Sequence, residues 1–232
     1  AALHETARHL LETSLPENAF VLVAGVGTGN ETVSLAERNP GWRVTGFDIA
    51  ENMISTASVK VNARGLGHRI ELIHGTVDDV FQEAFDGATA LLVMHFIPYA
   101  QKLSFLREIN FRLRPGGVLV LNLPAHQWLH SAHDRRVHNA RRYSRAGLRR
   151  MLEAARFEPV SLGFWNSLLL PLMVVQRKLL SRGRAREESD VASFSPPIEA
   201  MFRAATDAEA ALARLGLRFP AGGSLLAVAR RP

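Results

Sequence analysis

Short apolar runs alternate along the first half of the chain with stretches in which apolar side chains recur every three or four positions. Leu3, Ala7, Leu10 and Leu11 predict an opening helix over 3–14 that Pro16 stops. Val21-Leu22-Val23-Ala24 predicts a buried strand, and Glu31 to Arg38 a helix ended by Asn39-Pro40-Gly41. Trp42 to Phe47 follows as a second strand, and Ile49 to Ala63 as a helix with Met53, Ile54, Ala57 and Val61 on one face. Ile70 to His74 and Ala88 to Met94 predict the third and fourth strands, the fourth nearly all apolar, as a strand covered on both faces should be. A helix over Leu103 to Leu113, a turn at Arg114-Pro115-Gly116-Gly117 and a fifth strand over Val118 to Leu123 complete the alternation. Five strands interleaved with helices predict an α/β protein with a doubly wound sheet.

Past Pro124 the regular alternation stops. A polar segment rich in His and Arg runs to Tyr143, followed by a helix from about Arg145 to Ala155 and a strand from Glu158 to Gly163. Leu168 to Leu180 predicts an apolar helix, Ser181 to Pro197 an exposed charged loop, Glu199 to Leu215 a helix, and Ser224 to Ala229 a last strand after Gly222-Gly223. One domain is expected over 1–232, with a core at 1–124, lid and substrate-facing insertions at 125–215 and the last strand within 216–232.

The chemistry concentrates where the first strand ends. In Val21-Leu22-Val23-Ala24-Gly25-Val26-Gly27-Thr28-Gly29-Asn30-Glu31, alternate glycines let the backbone turn and approach a ligand where a Cβ would collide. A helix opening at Asn30 points free N–H groups at that ligand. Asp48, nineteen residues after Gly29, puts a carboxylate at the end of the neighbouring strand, suited to a ribose diol. A dinucleotide fingerprint needs its third glycine at position 30, which is Asn30. The G-x-G-x-G spacing fits S-adenosylmethionine better than NAD.

Val21 to Asp48 resembles the first two motifs of the class I S-adenosylmethionine-dependent methyltransferases. Val93-Met94-His95-Phe96-Ile97-Pro98 is similar to the family's segment after strand four, and Leu113-Arg114-Pro115-Gly116-Gly117-Val118-Leu119 to its turn into strand five. The resemblance implies a Rossmann-like sheet of seven strands, mostly parallel, with the last antiparallel. By motif position it implies cofactor contacts at Gly25, Gly27, Thr28, Gly29, Asp48, Ile49, Thr76, Val77 and His95. The family often has an acid against the adenine amine where this chain has Thr76, with Asp78 two residues on, and an acid where it has Val23. A protein that keeps the fold and the pocket without catalysis is therefore a rival reading.

The segment after strand five should roof the site, because ligands of open α/β sheets lie outside the carboxyl ends of the strands. His126-Gln127-Trp128-Leu129-His130-Ser131-Ala132-His133-Asp134, continued through His138, Arg141, Arg142 and Tyr143, resembles a narrower methyltransferase subgroup. His133 or His138 is the candidate base, since imidazole titrates near working pH, and Tyr143 completes the candidate catalytic set. Trp128, His130, Asp134 and Arg142 are the candidate acceptor contacts. The four histidines at 126, 130, 133 and 138 also invite a metal reading, but their segment need not be one continuous helix, and no metal is expected.

Charge and composition narrow the partners. The net charge is +6, and Arg135, Arg136, Arg141, Arg142, Arg145, Arg149 and Arg150 fall close together, with a second cluster at Arg177, Lys178, Arg182, Arg184 and Arg186. Aromatic residues are not interleaved through the first cluster as a single-strand stacking platform requires, which disfavours nucleic acid. The apolar 168–180 helix beside the second cluster is either an ordinary buried helix or a peripheral contact with lipid headgroups. Zero cysteines exclude disulfides and thiolate chemistry and fit a cytoplasmic protein, and no apolar run reaches membrane-spanning length. The expected activity is methyl transfer from S-adenosylmethionine to a small-molecule acceptor, O-methylation ahead of N- or C-methylation. A lipid-linked acceptor, an RNA acceptor and an NAD-dependent oxidoreductase are the remaining alternatives.

Overall fold

The computed structural model describes residues 2–130, 134, 141–175 and 196–232. In chain order the elements are α1 (Ala2–Glu12), β1 (Phe20–Ala24), α2 (Asn30–Arg38), β2 (Arg43–Asp48), α3 (Glu51–Ala63), β3 (Ile70–His74), β4 (Phe85–Ala90), α4 (Lys102–Arg112) and β5 (Leu113–Pro124). The second half adds α5 (Arg145–Ala154), β6 (Glu158–Trp165), α6 (Leu170–Val175), α7 (Pro196–Arg214) and β7 (Ser224–Arg230).

All seven strands form one sheet in the order β3-β2-β1-β4-β5-β7-β6, with β1 to β5 parallel and β7 antiparallel to both β5 and β6. Because successive strand side chains point to opposite faces, the central strands feed two cores. Val21 and Val23 of β1 join Val118 and Val120 of β5 on the face covered by α1, α2 and α3, with Leu11, Leu35, Ala57 and Val61. Leu22 and Ala24 join Leu119, Leu121 and Leu123 on the other, against Leu106 and Ile109 of α4 and Leu148 and Leu152 of α5. This two-sided covering explains why the middle strands read as continuous apolar runs.

Two boundaries differ from the sequence expectation. The fourth strand was expected over Ala88 to Met94 but runs from Phe85 to Ala90. Asp86-Gly87 reads as a turn, yet the buried Asp86 carboxylate accepts the Phe20 N–H at 2.7 Å and pairs with Arg114 at 2.7 Å, so it sits inside the sheet at little cost. The strand stops early because Leu92 takes a positive φ of 57°. The expected turn at 114–117 lies instead within β5. There Gly116 has φ 79°, and the pairing with β4 slips between Phe85 opposite Leu113 and Gly87 opposite Val118, a bulge rather than a chain reversal. The expected helix over 168–180 is seen as α6 at 170–175, and its continuation, the second basic cluster and nearly all of the expected 181–197 loop lie outside the described residues.

Strand order reverses between β1 and β4, so the crevice at their carboxyl ends is the topological switch point where ligands of such sheets bind. The two loops leaving these strands touch there: a Cβ on Gly25 would come within 2.9 Å of Val93 Cγ2.

Candidate functional site

The three glycines after β1 do different work. Gly25, Gly27 and Gly29 all have positive φ, at 77°, 52° and 79°. A Cβ on Gly29 would meet the Ala57 Cβ at 2.9 Å, so this glycine lets the start of α2 pack on α3. A Cβ on Gly27 would meet nothing within 4 Å. Gly27 therefore presents bare backbone to open space, the surface a ligand needs.

Asp48 binds this loop to the neighbouring strand. Its Oδ2 accepts the Gly27 N–H at 2.8 Å and its Oδ1 accepts the Ala50 N–H at 3.0 Å, while Gly25 and Val26 donate to the Phe47 carbonyl at 2.9 and 3.1 Å. A carboxylate oxygen accepts more than one hydrogen bond, so both oxygens retain capacity for a ribose diol. On the outer side, Lys60 Nζ donates to the Thr28 carbonyl at 2.7 Å and fastens the loop to α3.

The remaining expected cofactor residues follow the carboxyl ends of β2, β3 and β4, the same edge of the sheet as this loop. Ile49 is 71% exposed beside Asp48, an apolar surface suited to a nucleobase. Thr76 is exposed and caps a short turn over Val77–Asp79: the Thr76 N–H donates to Asp79 Oδ2 at 2.8 Å, and the Asp78 N–H donates to Thr76 Oγ1 at 3.3 Å. The Val77 side chain is in the core, which leaves its backbone as the part near the crevice. His95 is half-buried past β4, and burial, followed by the nearby Lys102 charge, pushes its imidazole down to about 4 against an opposing pull from Asp134. It is neutral at working pH. The fully buried Val23 offers no polar group at the base of the loop.

Beyond β4 and β5 a second cleft of about 460 Å³ opens between the β4–α4 connection and α5, lined by Tyr99, Lys102, Arg141, Arg142, Tyr143 and Arg150 among others. Tyr143 was expected there. Its hydroxyl is buried without a hydrogen-bond partner among the described residues, and burial pushes its pKa up to about 12, a shift that Arg141 opposes and Tyr99 reinforces. It is a proton donor, not a base, at neutral pH. Lys102 and Tyr99 were not singled out from the sequence. The available signal was the spacing of Lys102, Leu106 and Ile109, which sets a cation on the buried stripe of α4.

Arg142 also lines the cleft, but its guanidinium is engaged elsewhere. It donates to Asp134 Oδ1 through Nε at 2.9 Å and pairs with it through Nη2 at 2.8 Å, and Nη1 donates to the carbonyls of Ala125 and Gly223 at 3.0 and 3.3 Å. Arg142 and Asp134 thus hold the segment after β5 against the start of β7. Trp128 is half exposed, packs near the His126 ring and does not line the cleft, and neither does His130. His133 and His138 lie outside the described residues. Among the described residues no grouping of three or more His, Asp or Glu could hold a metal ion, and no helix is long and apolar enough to cross a membrane.

Residues 21–117, from β1 into β5, match the family described as Methyltransferase domain. Over 97 residues the chain is 36% identical to the demethylmenaquinone methyltransferase of Geobacillus stearothermophilus, covering 40% of each chain. It is 30% identical over 141 residues to the tRNA 5-carboxymethoxyuridine methyltransferase of Escherichia coli strain K12, covering 60% of this chain and 51% of that one. The chain thus spans only 40% and 51% of the length of these curated relatives. Among solved structures, the [4+2]-cyclase SpnF superposes with a TM-score of 0.66 at 22% identity, covering 99% of this chain and 81% of that one, a likeness of fold. The glycine loop, the carboxylate at the end of β2 and the seven-strand order agree with the matched segment: residues 21–117 carry the methyltransferase domain, on a sheet of the class I S-adenosylmethionine-dependent methyltransferase type.

Proposed function

We propose that the protein transfers a methyl group from S-adenosylmethionine to a small-molecule acceptor, with oxygen as the favoured acceptor atom. The observation that carries this reading is the Asp48 to Gly27 pairing at the switch point: a charged acceptor pinned beside a glycine whose Cα faces open space. Gly27 and Thr28 supply bare backbone, Asp48 the acceptor for the ribose diol, Ile49 and the Thr76–Val77 turn the walls for adenine, and His95 the neutral edge toward the second cleft.

The cofactor brings an already activated sulfonium methyl, so the protein's task is to hold the nucleophile in line with it and exclude water. Lys102 lines the second cleft and its charge acts on His95, which supports that cleft as the acceptor side. His133 or His138 serves as base where the nucleophile starts protonated, and Tyr143 donates a hydrogen bond to the acceptor, while Trp128 and His130, outside the cleft lining, have no acceptor contact in this reading. Asp134 and Arg142 act as positioning residues through their mutual pair.

Calorimetric titration with S-adenosylhomocysteine, with NADH as control, tests the cofactor half. Micromolar binding of the first alone is expected, and binding of neither would turn the reading to a pocket that has lost its ligand, consistent with the apolar Val23. The E. coli relative named for a tRNA reaction favours a second reading, an RNA acceptor. Affinity for tRNA that falls steeply with salt would support it, because phosphate contacts release counterions.

A further inference from the structure

We infer that the cleft between the β4–α4 connection and α5 is a subsite for an acidic group on a small organic acceptor, a carboxylate or a phosphate, held by Lys102, Arg141 and the Tyr143 hydroxyl. This rests on the methyltransferase reading and deepens it by naming the chemical class of the acceptor.

The charge of the cleft is one-sided. Lys102, Arg141, Arg142 and Arg150 line it, and none of its other described lining residues is an acid. Arg142 is neutralised by Asp134, but no carboxylate pairs with Lys102 or Arg141 among the described residues. Lys102 is only 3% exposed, its Nζ standing 5.2 Å from the centre of the Tyr143 ring, and the Arg141 guanidinium stacks 4.9 Å from the Tyr99 ring. Burial, followed by the Arg141 charge, lowers the Lys102 pKa, as expected of two cations held together without an anion.

A buried cation is costly unless paired, and so is a buried hydroxyl without a partner. Both costs meet here, because Tyr143 is 5% exposed and its hydroxyl has no partner among the described residues. One bound anion relieves both: it pairs with the ammonium and accepts the phenolic O–H, which the raised Tyr143 pKa keeps protonated. Arg141 would add a second cation to the anion, and Tyr99, on which it stacks, an aromatic face to the remainder of the ligand. The volume of about 460 Å³ suits a small acid.

The test uses the whole chain with benzoate, phenyl phosphate and uncharged benzamide as probes, binding read by ligand-observed NMR in the presence and absence of S-adenosylhomocysteine. Benzoate or phenyl phosphate is expected to bind well above benzamide, and the tighter of the two identifies the acidic group. Lys102→Met should weaken that probe by about tenfold or more, on the scale of one charge-assisted hydrogen bond, and Tyr143→Phe by a smaller factor. Thermal unfolding of both variants establishes that they fold, and S-adenosylhomocysteine titrated into each reads the cofactor site separately. Equal binding of benzamide, or probe binding unchanged in both variants, overturns the subsite while leaving the cofactor reading intact. Failure of S-adenosylhomocysteine to bind wild type, with the acids still bound through Lys102, would overturn the cofactor reading alone. Displacement of the acids by tRNA at low salt with no intrinsic preference over benzamide would also overturn the small-acid subsite.

Discussion

The Asp48 carboxylate and the Gly27 amide, 2.8 Å apart, link the end of β2 to the tip of the loop after β1. The same carboxylate caps Ala50 at the start of α3, so one side chain shapes the loop and would hold the ribose. Asp48→Ala removes the proposed ribose acceptor and leaves two backbone donors without their partner. Cofactor affinity is expected to fall by roughly 1–3 kcal/mol, the range for hydrogen bonds to charged groups. Calorimetry with S-adenosylhomocysteine reads it, and an unchanged affinity would mean the ribose lies elsewhere.

The glycines separate folding from binding. Gly29→Ala meets the Ala57 Cβ at 2.9 Å and the Ala57 Cα at 3.1 Å, in a left-handed conformation. Left-handed strain and overpacking together should cost roughly 2–4 kcal/mol of stability. Gly27→Ala has the strain but no clash, so about 1–2 kcal/mol is expected, while its methyl enters the open space proposed for the cofactor. Chemical denaturation and S-adenosylhomocysteine titration of both variants should rank them oppositely: position 29 worse for stability, position 27 worse for binding. The same ranking in both assays would contradict the assignment of the open face.

Glu31, in the first turn of α2, is buried, and burial pushes its carboxyl up to about 7, opposed in part by the Thr89 hydroxyl. The unfolded carboxyl titrates near 4.5. Below that value both states hold the proton. Between 4.5 and about 7 the unfolded chain has lost it while the folded chain keeps it, so stability falls as pH rises, and above about 7 the full cost is present. The gap corresponds to a loss on the order of 3 kcal/mol. Urea unfolding of wild type and Glu31→Gln at pH 5 and pH 8 should show the variant gaining on wild type by about that amount. Parallel profiles would exclude a neutral folded Glu31.

Legibility followed how local the physics was. The β1 to β3 half was readable because each strand there is an apolar run and each helix start is marked by Gly or Asp, as at Gly29 and Asp48. The β4 boundary was not, because Asp86 is tolerated in the sheet only through Phe20, sixty-six residues away, and Arg114. The glycine loop and Asp48 were legible as a site, and their hydrogen bond fits that reading. The acidic-group cleft was not legible, since Lys102 and Tyr143 approach only when α4 packs beside β5. Arg142, expected at the acceptor, instead reaches Asp134, Ala125 and Gly223, partners that no spacing rule brings together.

Asp134 and Arg142 are both nearly fully buried, and the pair with its two carbonyl acceptors joins the segment after β5 to the start of β7. Arg142→Met removes the Nε and Nη2 donors from a buried carboxylate and the Nη1 donor from two buried carbonyls, and should cost roughly 3–5 kcal/mol, the range for breaking one side of a buried ion pair. Removing both charges with Asp134→Leu and Arg142→Met should recover much of that loss, since the desolvation cost of both ions disappears. A double-mutant cycle measured by thermal unfolding reads the coupling. Purely additive losses would show that the two side chains act independently, and the segment after β5 would then be held to the start of β7 by other contacts.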